Sequence, residues 1–248
     1  MTDTTATQLY ALAFATIAWG GWMWRSQRIA LLEWAFIAAS ALATLSSLQL
    51  LDLHLLLKPL PMAIAMVFVA ARAMAAGGIT QNDALLLAAQ LFSLGGDVFL
   101  MLPGNYFIPG LASFLVAHLF YIALFRQGQA WFASRRALLV VLAVGAGMYA
   151  FIWDGLNDPV LKLAVAAYVG VISLMVAQAI GRATVLRDPA SARVAGGACI
   201  FMLSDALIAI NKFVTPVALS SLWILVTYFA AQLLIMHHAR STGTAEPR

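Results

Sequence analysis

Residues 93–125, SLGGDVFLMLPGNYFIPGLASFLVAHLFYIALF, decide how this chain folds. Two long apolar runs flank Pro103-Gly104-Asn105, a turn signal that ends one helix and reverses the chain into the next. The pattern predicts an antiparallel pair of membrane helices. Asp97 lies inside the first run and His118 inside the second. An aspartate at membrane depth costs about 2.5 to 3.5 kcal/mol on insertion scales, so such a residue marks a candidate functional site.

The rest of the 248-residue chain agrees with that reading. It is 63% hydrophobic and 10% charged, with a mean hydropathy of +0.92. A soluble domain carries about 25% charged residues, so a water-facing surface cannot be built from this composition. The net charge of +4 is spread between apolar runs, which points away from nucleic acid and towards topology-setting charges. The single Cys199 lies within an apolar run and offers neither a disulfide framework nor a thiolate metal site. Residues 1–8 contain no basic n-region, so the first apolar run is expected to remain as a membrane helix.

A spanning helix needs about 20 mostly apolar residues. Nine stretches qualify: 8–24, 29–51, 60–76, 84–102, 107–125, 136–153, 160–181, 194–211 and 218–237. The expected fold is all-α, a polytopic transmembrane helix bundle of nine (alternatively eight) membrane-spanning helices. It forms one integral-membrane domain over 1–248, with a short polar tail at 240–248. In the nine-helix arrangement, every arginine falls on one side: Arg25, Arg28, Arg72, Arg126, Arg135, Arg136, Arg182, Arg187, Arg193, Arg240 and Arg248. Lys58, Lys162 and Lys212 fall on the other. The positive-inside rule then puts the C-terminus in the cytoplasm and the N-terminus outside, in a bacterial cytoplasmic (inner) membrane.

Topology fixes depth. Asp97 and Asp205 each lie roughly 7 to 9 Å inside the outer boundary, and His118 roughly 16 Å, near the midplane. Two carboxylates at matched depth, each preceded by a small residue (Gly96, Ser204), suggest a shared site, although each could instead bond a neighbouring helix. In a shared site one carboxyl can hold a proton while the other is ionised, the arrangement that acid chemistry on an ether linkage needs. His118 is either a hydrogen-bonded structural group or a catalytic helper. A metal would need further ligands; His54 could supply one from the outer loop, but His237 and His238 lie at the far end. HExxH spacing is absent, and no metal or cofactor is expected.

Lys58 and Lys212 could be snorkelling residues at helix ends, or could meet a lipid phosphate at the rim. Ser204 lies in LSDA and not in a G-x-S-x-G elbow. Glu33 is expected to be wetted at its helix end. Trp19, Trp22, Trp24, Trp34, Trp131, Trp153 and Trp223 read as an interfacial belt.

The stretch around Asp97, Lys-Pro-Leu at 58–60, SDALIAINKF at 204–213 and TYFAAQLLI at 227–235 together resemble the YhhN-like family of membrane proteins, which includes animal lysoplasmalogenases. The resemblance covers roughly 58–236, and the 8–24 helix is one more than the family's usual eight. It implies hydrolysis of the vinyl-ether bond of a lysoplasmalogen (1-alkenyl-glycerophosphocholine or -ethanolamine) to a fatty aldehyde and a glycerophospho-base. On that reading Asp97 and Asp205 share the acid chemistry, with His118 as a relay. Lys58, Asn211, Lys212, Tyr121, Tyr228 and Gln232 become candidate substrate-binding groups. The expected partners are a lysophospholipid and the surrounding membrane lipids. The competing reading is a proton-coupled transporter of small molecules or lipids, because buried Asp and His also make proton relays.

Overall fold

The computed structural model describes residues 31–48 and 54–239. The 8–24 helix, Arg25, Arg28, the three N-terminal tryptophans, the polar tail with Arg240 and Arg248, and both chain ends lie outside the described residues. Within them the chain is helix and short connections: α1 Leu31–Ser47, α2 His54–Leu57, α3 Leu60–Ala75, α4 Gln81–Met101, α5 Phe107–Arg126, α6 Arg135–Ile152, α7 Pro159–Leu186, α8 Pro189–Phe213 and α9 Ser220–His238. A 3₁₀ turn, Trp153–Gly155, follows α6. Seven helical stretches are long and apolar enough to cross a membrane, with α1 as a shorter apolar helix. The expected count of nine therefore extends beyond what the described residues contain.

Helix starts are set by local chemistry. Thr80 and Asp83 form a reciprocal capping box at α4, satisfying two backbone N–H groups that a helix start leaves open. Asp158 and Asp188 cap α7 and α8, each followed by a proline whose missing N–H costs nothing in the first turn. The α4–α5 turn is tight because Gly104 takes a φ of 125°, which other residues rarely adopt.

Packing runs α3–α4–α5–α7–α8–α9–α1 and back to α3, closing a ring of seven helices. Helix α6 stands outside this ring against α7 and the edge of α8. Lipid tails are as apolar as leucine, so close backbone approach and interior polar contacts must hold such a bundle together. At the α4–α5 crossing a side chain on Gly110 would meet Leu100 at 2.8 Å. Leu139, Val140 and Val144 of α6 point outward, as a lipid-facing surface requires. Trp34, Trp131, Trp153 and Trp223 are exposed near helix ends, as expected for a belt.

The two ends differ in charge. Lys58, Lys162 and Lys212 sit at the end where α3 and α7 begin and α8 finishes; the described arginines all sit at the other. There Arg72 donates to the Met236 carbonyl at 2.8 Å and pairs with Asp83 at 3.4 Å. Glu33 is corrected here: it is buried and contacts His237 Nδ1, because α1 packs its first turn against the end of α9. The connection before α3 also differs from expectation. The short helix α2 runs into α3 through Lys58-Pro59, so Lys58 is half-buried at the start of a span.

Candidate active site

The ring's centre is where the polar side chains meet. Asp97 of α4 is buried, and its Oδ2 accepts from the Tyr228 hydroxyl of α9 at 2.7 Å. Asp205 of α8 accepts from the Tyr168 hydroxyl of α7 at 2.5 Å. Asp97 lies within electrostatic range of both Lys58 and Asp205. The two carboxylates lie within electrostatic range of each other, each held by a tyrosine from another helix.

Their surroundings differ. Asp205 lies on the wall of an apolar slot between α5, α6, α7 and α8. Among its described lining residues, Asp205 and Tyr168 alone are polar; Phe107, Leu111, Phe114, Met148 and Met202 are typical of the rest. Asp97 does not line the slot. The wall is thus apolar along its length and presents a single carboxyl.

Tyr121 is fully buried and donates to Gln232 Oε1 at 2.7 Å, next to the Asp97–Tyr228 pair. His118 is fully buried between the rings of Phe201 (4.9 Å) and Tyr168 (5.2 Å). Neither of its ring nitrogens has a hydrogen-bond partner among the described residues. Gln90 and Ser93, below Asp97 on α4, are equally buried, with side-chain polar atoms unpartnered among the described residues. No three His, Cys, Asp or Glu side chains among the described residues converge as a metal site.

The YhhN family profile matches residues 53–239, a stretch holding both aspartates and both tyrosines. The chain belongs to the YhhN family. It is 36% identical to the lysoplasmalogenase TMEM86B of Homo sapiens over 160 residues, 64% of this chain and 63% of that protein. Identity to the lysoplasmalogenase TMEM86A of Bos taurus is 35% over 152 residues, 58% of this chain and 60% of the relative. A lysoplasmalogenase of Mycobacterium bovis is 30% identical over 227 residues, 87% and 82% of the two chains. The chain thus spans about six-tenths of the length of the mammalian relatives first matched. No solved structure matches it.

The remaining sequence candidates of this YhhN protein separate. Asn211 turns inward to its own loop, its Oδ1 accepting from Val217 N–H at 2.9 Å. Lys212 sits at the slot mouth, its Nζ 4.6 Å from the Phe107 ring centre and 5.9 Å from that of Phe213. Tyr168, Gln90 and Ser93 are the groups that sequence reasoning missed. Depth could have found the first. Tyr168 is nine residues into α7 and Asp205 eight from the end of α8, both about 12 to 14 Å deep.

Proposed function

We propose that this YhhN protein hydrolyses the vinyl-ether bond of lysoplasmalogens, releasing a fatty aldehyde and a glycerophospho-base. The observation that carries the proposal is the placement of Asp205: among the described residues it is the only carboxyl on the wall of an apolar slot, with a second carboxylate in electrostatic range. Vinyl ethers resist bases and nucleophiles but yield to a proton at the β-carbon, so one acid beside a chain-shaped slot is the required equipment. The lysoplasmalogenase names of the relatives favour this reading over a proton-coupled transporter.

In the proposed mechanism Asp205 is the acid. The Tyr168 hydroxyl occupies Oδ2 and fixes the carboxyl, leaving Oδ1 to carry the transferred proton. Protonation of the β-carbon turns the ether into an oxocarbenium ion. Asp97, which faces Lys58 and is held by Tyr228, is assigned the role of stabilising that cation across the pair. Water adds to the cationic carbon, and one of its protons returns to the carboxylate that Asp205 has become. The resulting hemiacetal collapses as its hydroxyl proton moves to the glycerol oxygen, giving aldehyde and alcohol. Two protons of water account for both transfers, so the enzyme ends as it began. His118, against the Tyr168 ring, keeps that tyrosine aimed at Asp205. Tyr121 and Gln232 brace Tyr228. The reaction takes place near the end of the bundle that carries the lysines, which the positive-inside rule assigns to the outer leaflet of a bacterial inner membrane, with the C-terminus in the cytoplasm.

The test is aldehyde release by purified protein in detergent from a 1-alkenyl lysophospholipid, with the saturated ether and the 1-acyl lysophospholipid as controls. Aldehyde from the first lipid alone is expected. Release of fatty acid from the ester, with no aldehyde from the vinyl ether, would replace this reaction with an esterase.

A further inference from the structure

Three lysines stand at the aspartate end, and they are not equivalent. Lys58 is half-buried and faces Asp97. Lys162 lies 4.0 Å over the Trp153 ring, on a residue that does not line the slot. Lys212 is exposed, and it alone rests on two rings of the slot wall, Phe107 and Phe213. No carboxylate among the described residues pairs with it. An ammonium over a ring keeps its N–H donors available, since the ring engages only one face of the charge.

We infer that Lys212 is a phosphate anchor which, with Asp205, measures the substrate. This inference rests on the proposed hydrolysis and adds a specificity rule to it. Asp205 and Lys212 are seven residues apart on α8, so they share a face and their backbones are separated by roughly 10 Å along the axis. In a lysoplasmalogen the β-carbon of the vinyl ether and the phosphorus are separated by seven bonds. At roughly 1.2 Å per bond of extended chain that is about 8 Å, comparable with the roughly 10 Å between the two backbones. A phosphate held by Lys212 therefore sets the reactive carbon opposite Asp205, while the alkenyl chain leaves that carbon towards Met202 and Ile172 at the inner end of the wall. Ala206, Ala209 and Phe213 line the path between the two, and none offers a competing polar contact. The rule admits a single-chain lipid with its phosphate one glycerol away from the vinyl ether, and it penalises lipids without that phosphate.

Two substrates test it: a 1-alkenyl-glycerophosphocholine and the matching 1-alkenylglycerol, which lacks phosphate. Lys212→Gln should lower the ratio of their kcat/KM values about tenfold, mainly through KM on the phosphate lipid, as expected for one charge-assisted contact. Lys212→Arg should restore most of the ratio, and Lys162→Gln should leave it at the wild-type value. An unchanged ratio in Lys212→Gln, or an equal fall in Lys162→Gln, would overturn the anchor. A binding measurement with the saturated 1-alkyl-glycerophosphocholine and 1-alkylglycerol needs no turnover and separates the two ideas. A wild-type preference for the phosphate analogue that Lys212→Gln loses, without aldehyde from any lipid, would retain the anchor and reject the hydrolase. No preference between the analogues would reject the anchor even in an active enzyme.

Discussion

Asp97 and Asp205 look alike in sequence and are treated differently by the fold. Each follows a small residue, sits near the same end of a long helix, and accepts a hydrogen bond from a tyrosine on another helix. Asp97 is sealed inside the ring and faces a lysine; Asp205 opens on an apolar slot whose described wall holds no cation. A carboxylate with a cation nearby is suited to a fixed charge, and a carboxyl facing hydrocarbon is suited to giving up a proton. The lesson is that an intramembrane acid takes its role from what stands opposite it more than from its own motif.

The largest expected effect breaks the comparison at Asp205. Asp205→Asn keeps the shape and removes the proton, so aldehyde release should fall by about a thousandfold, within the usual range for a general acid. Thermal unfolding in detergent should show the variant folded; turnover near wild type would assign the acid elsewhere. Asp97→Asn tests the other half. It leaves Lys58 facing a neutral group, and the half-buried site should cost about 2 kcal/mol, less than a fully buried broken pair. The double variant Asp97→Asn/Lys58→Met should regain most of that stability without regaining turnover, read as coupling in a double-mutant cycle.

The tyrosines sharpen the contrast further. Tyr168→Phe should lower kcat about tenfold with little change in stability, because it unfixes an acid that faces a slot. Tyr228→Phe should cost about 1.5 kcal/mol in stability, because it strips a donor from a buried carboxylate. Equal behaviour of the two variants would erase the distinction between the sites. The smallest effect lies away from both. Asp188 is half-buried at the start of α8, where hydrogen bonds from the Ser191 hydroxyl and from the Ser191 and Ala190 N–H groups hold its carboxyl below the usual range. That stabilisation is complete above the carboxyl's unfolded value and fades as pH falls through the lower folded value. Asp188→Ala should cost about 1 kcal/mol near neutral pH, less in acid, and spare the kcat for aldehyde release.

The helices were legible where long apolar runs meet strong punctuation. The stretches 60–76 and 107–125 match α3 and α5 to within a residue at each end. Helix α8 begins at Pro189 and not at 194, since Pro-Ala-Ser-Ala-Arg carries no apolar signal and Asp188-Pro189 alone marks the start. Helix α7 runs to Leu186, past Gly181. That glycine is no stop; a side chain there would meet Ala133 N at 3.2 Å, so it admits the α5–α6 loop. That Asp97 and Asp205 lie towards the same end of the bundle could be read from the apolar runs, although α8 extends to Phe213 and sets Asp205 eight residues from its helix end against four for Asp97. What stands opposite each could not, because ring order is set by which faces pack and not by hydropathy. Lys58 shows the same limit: Lys-Pro reads as loop, yet its backbone continues one helix into the next.

Helix α7 is 28 residues long, about 42 Å, and so outreaches a hydrocarbon core of about 30 Å. Its lower turns moor the loop that leads to α6. Gln178 accepts from Phe132 N–H at 2.8 Å and donates to the Ala130 carbonyl at 3.2 Å, and Arg182 donates to the Gln127 carbonyl at 2.9 Å. Helix α6 stands outside the ring and forms one bank of the slot through Gly145, Met148 and Ile152. That bank is therefore tethered like a jetty from its landward end. The width of the slot beside Asp205 is set in part by a glutamine about three helical turns beyond Tyr168 along the deck.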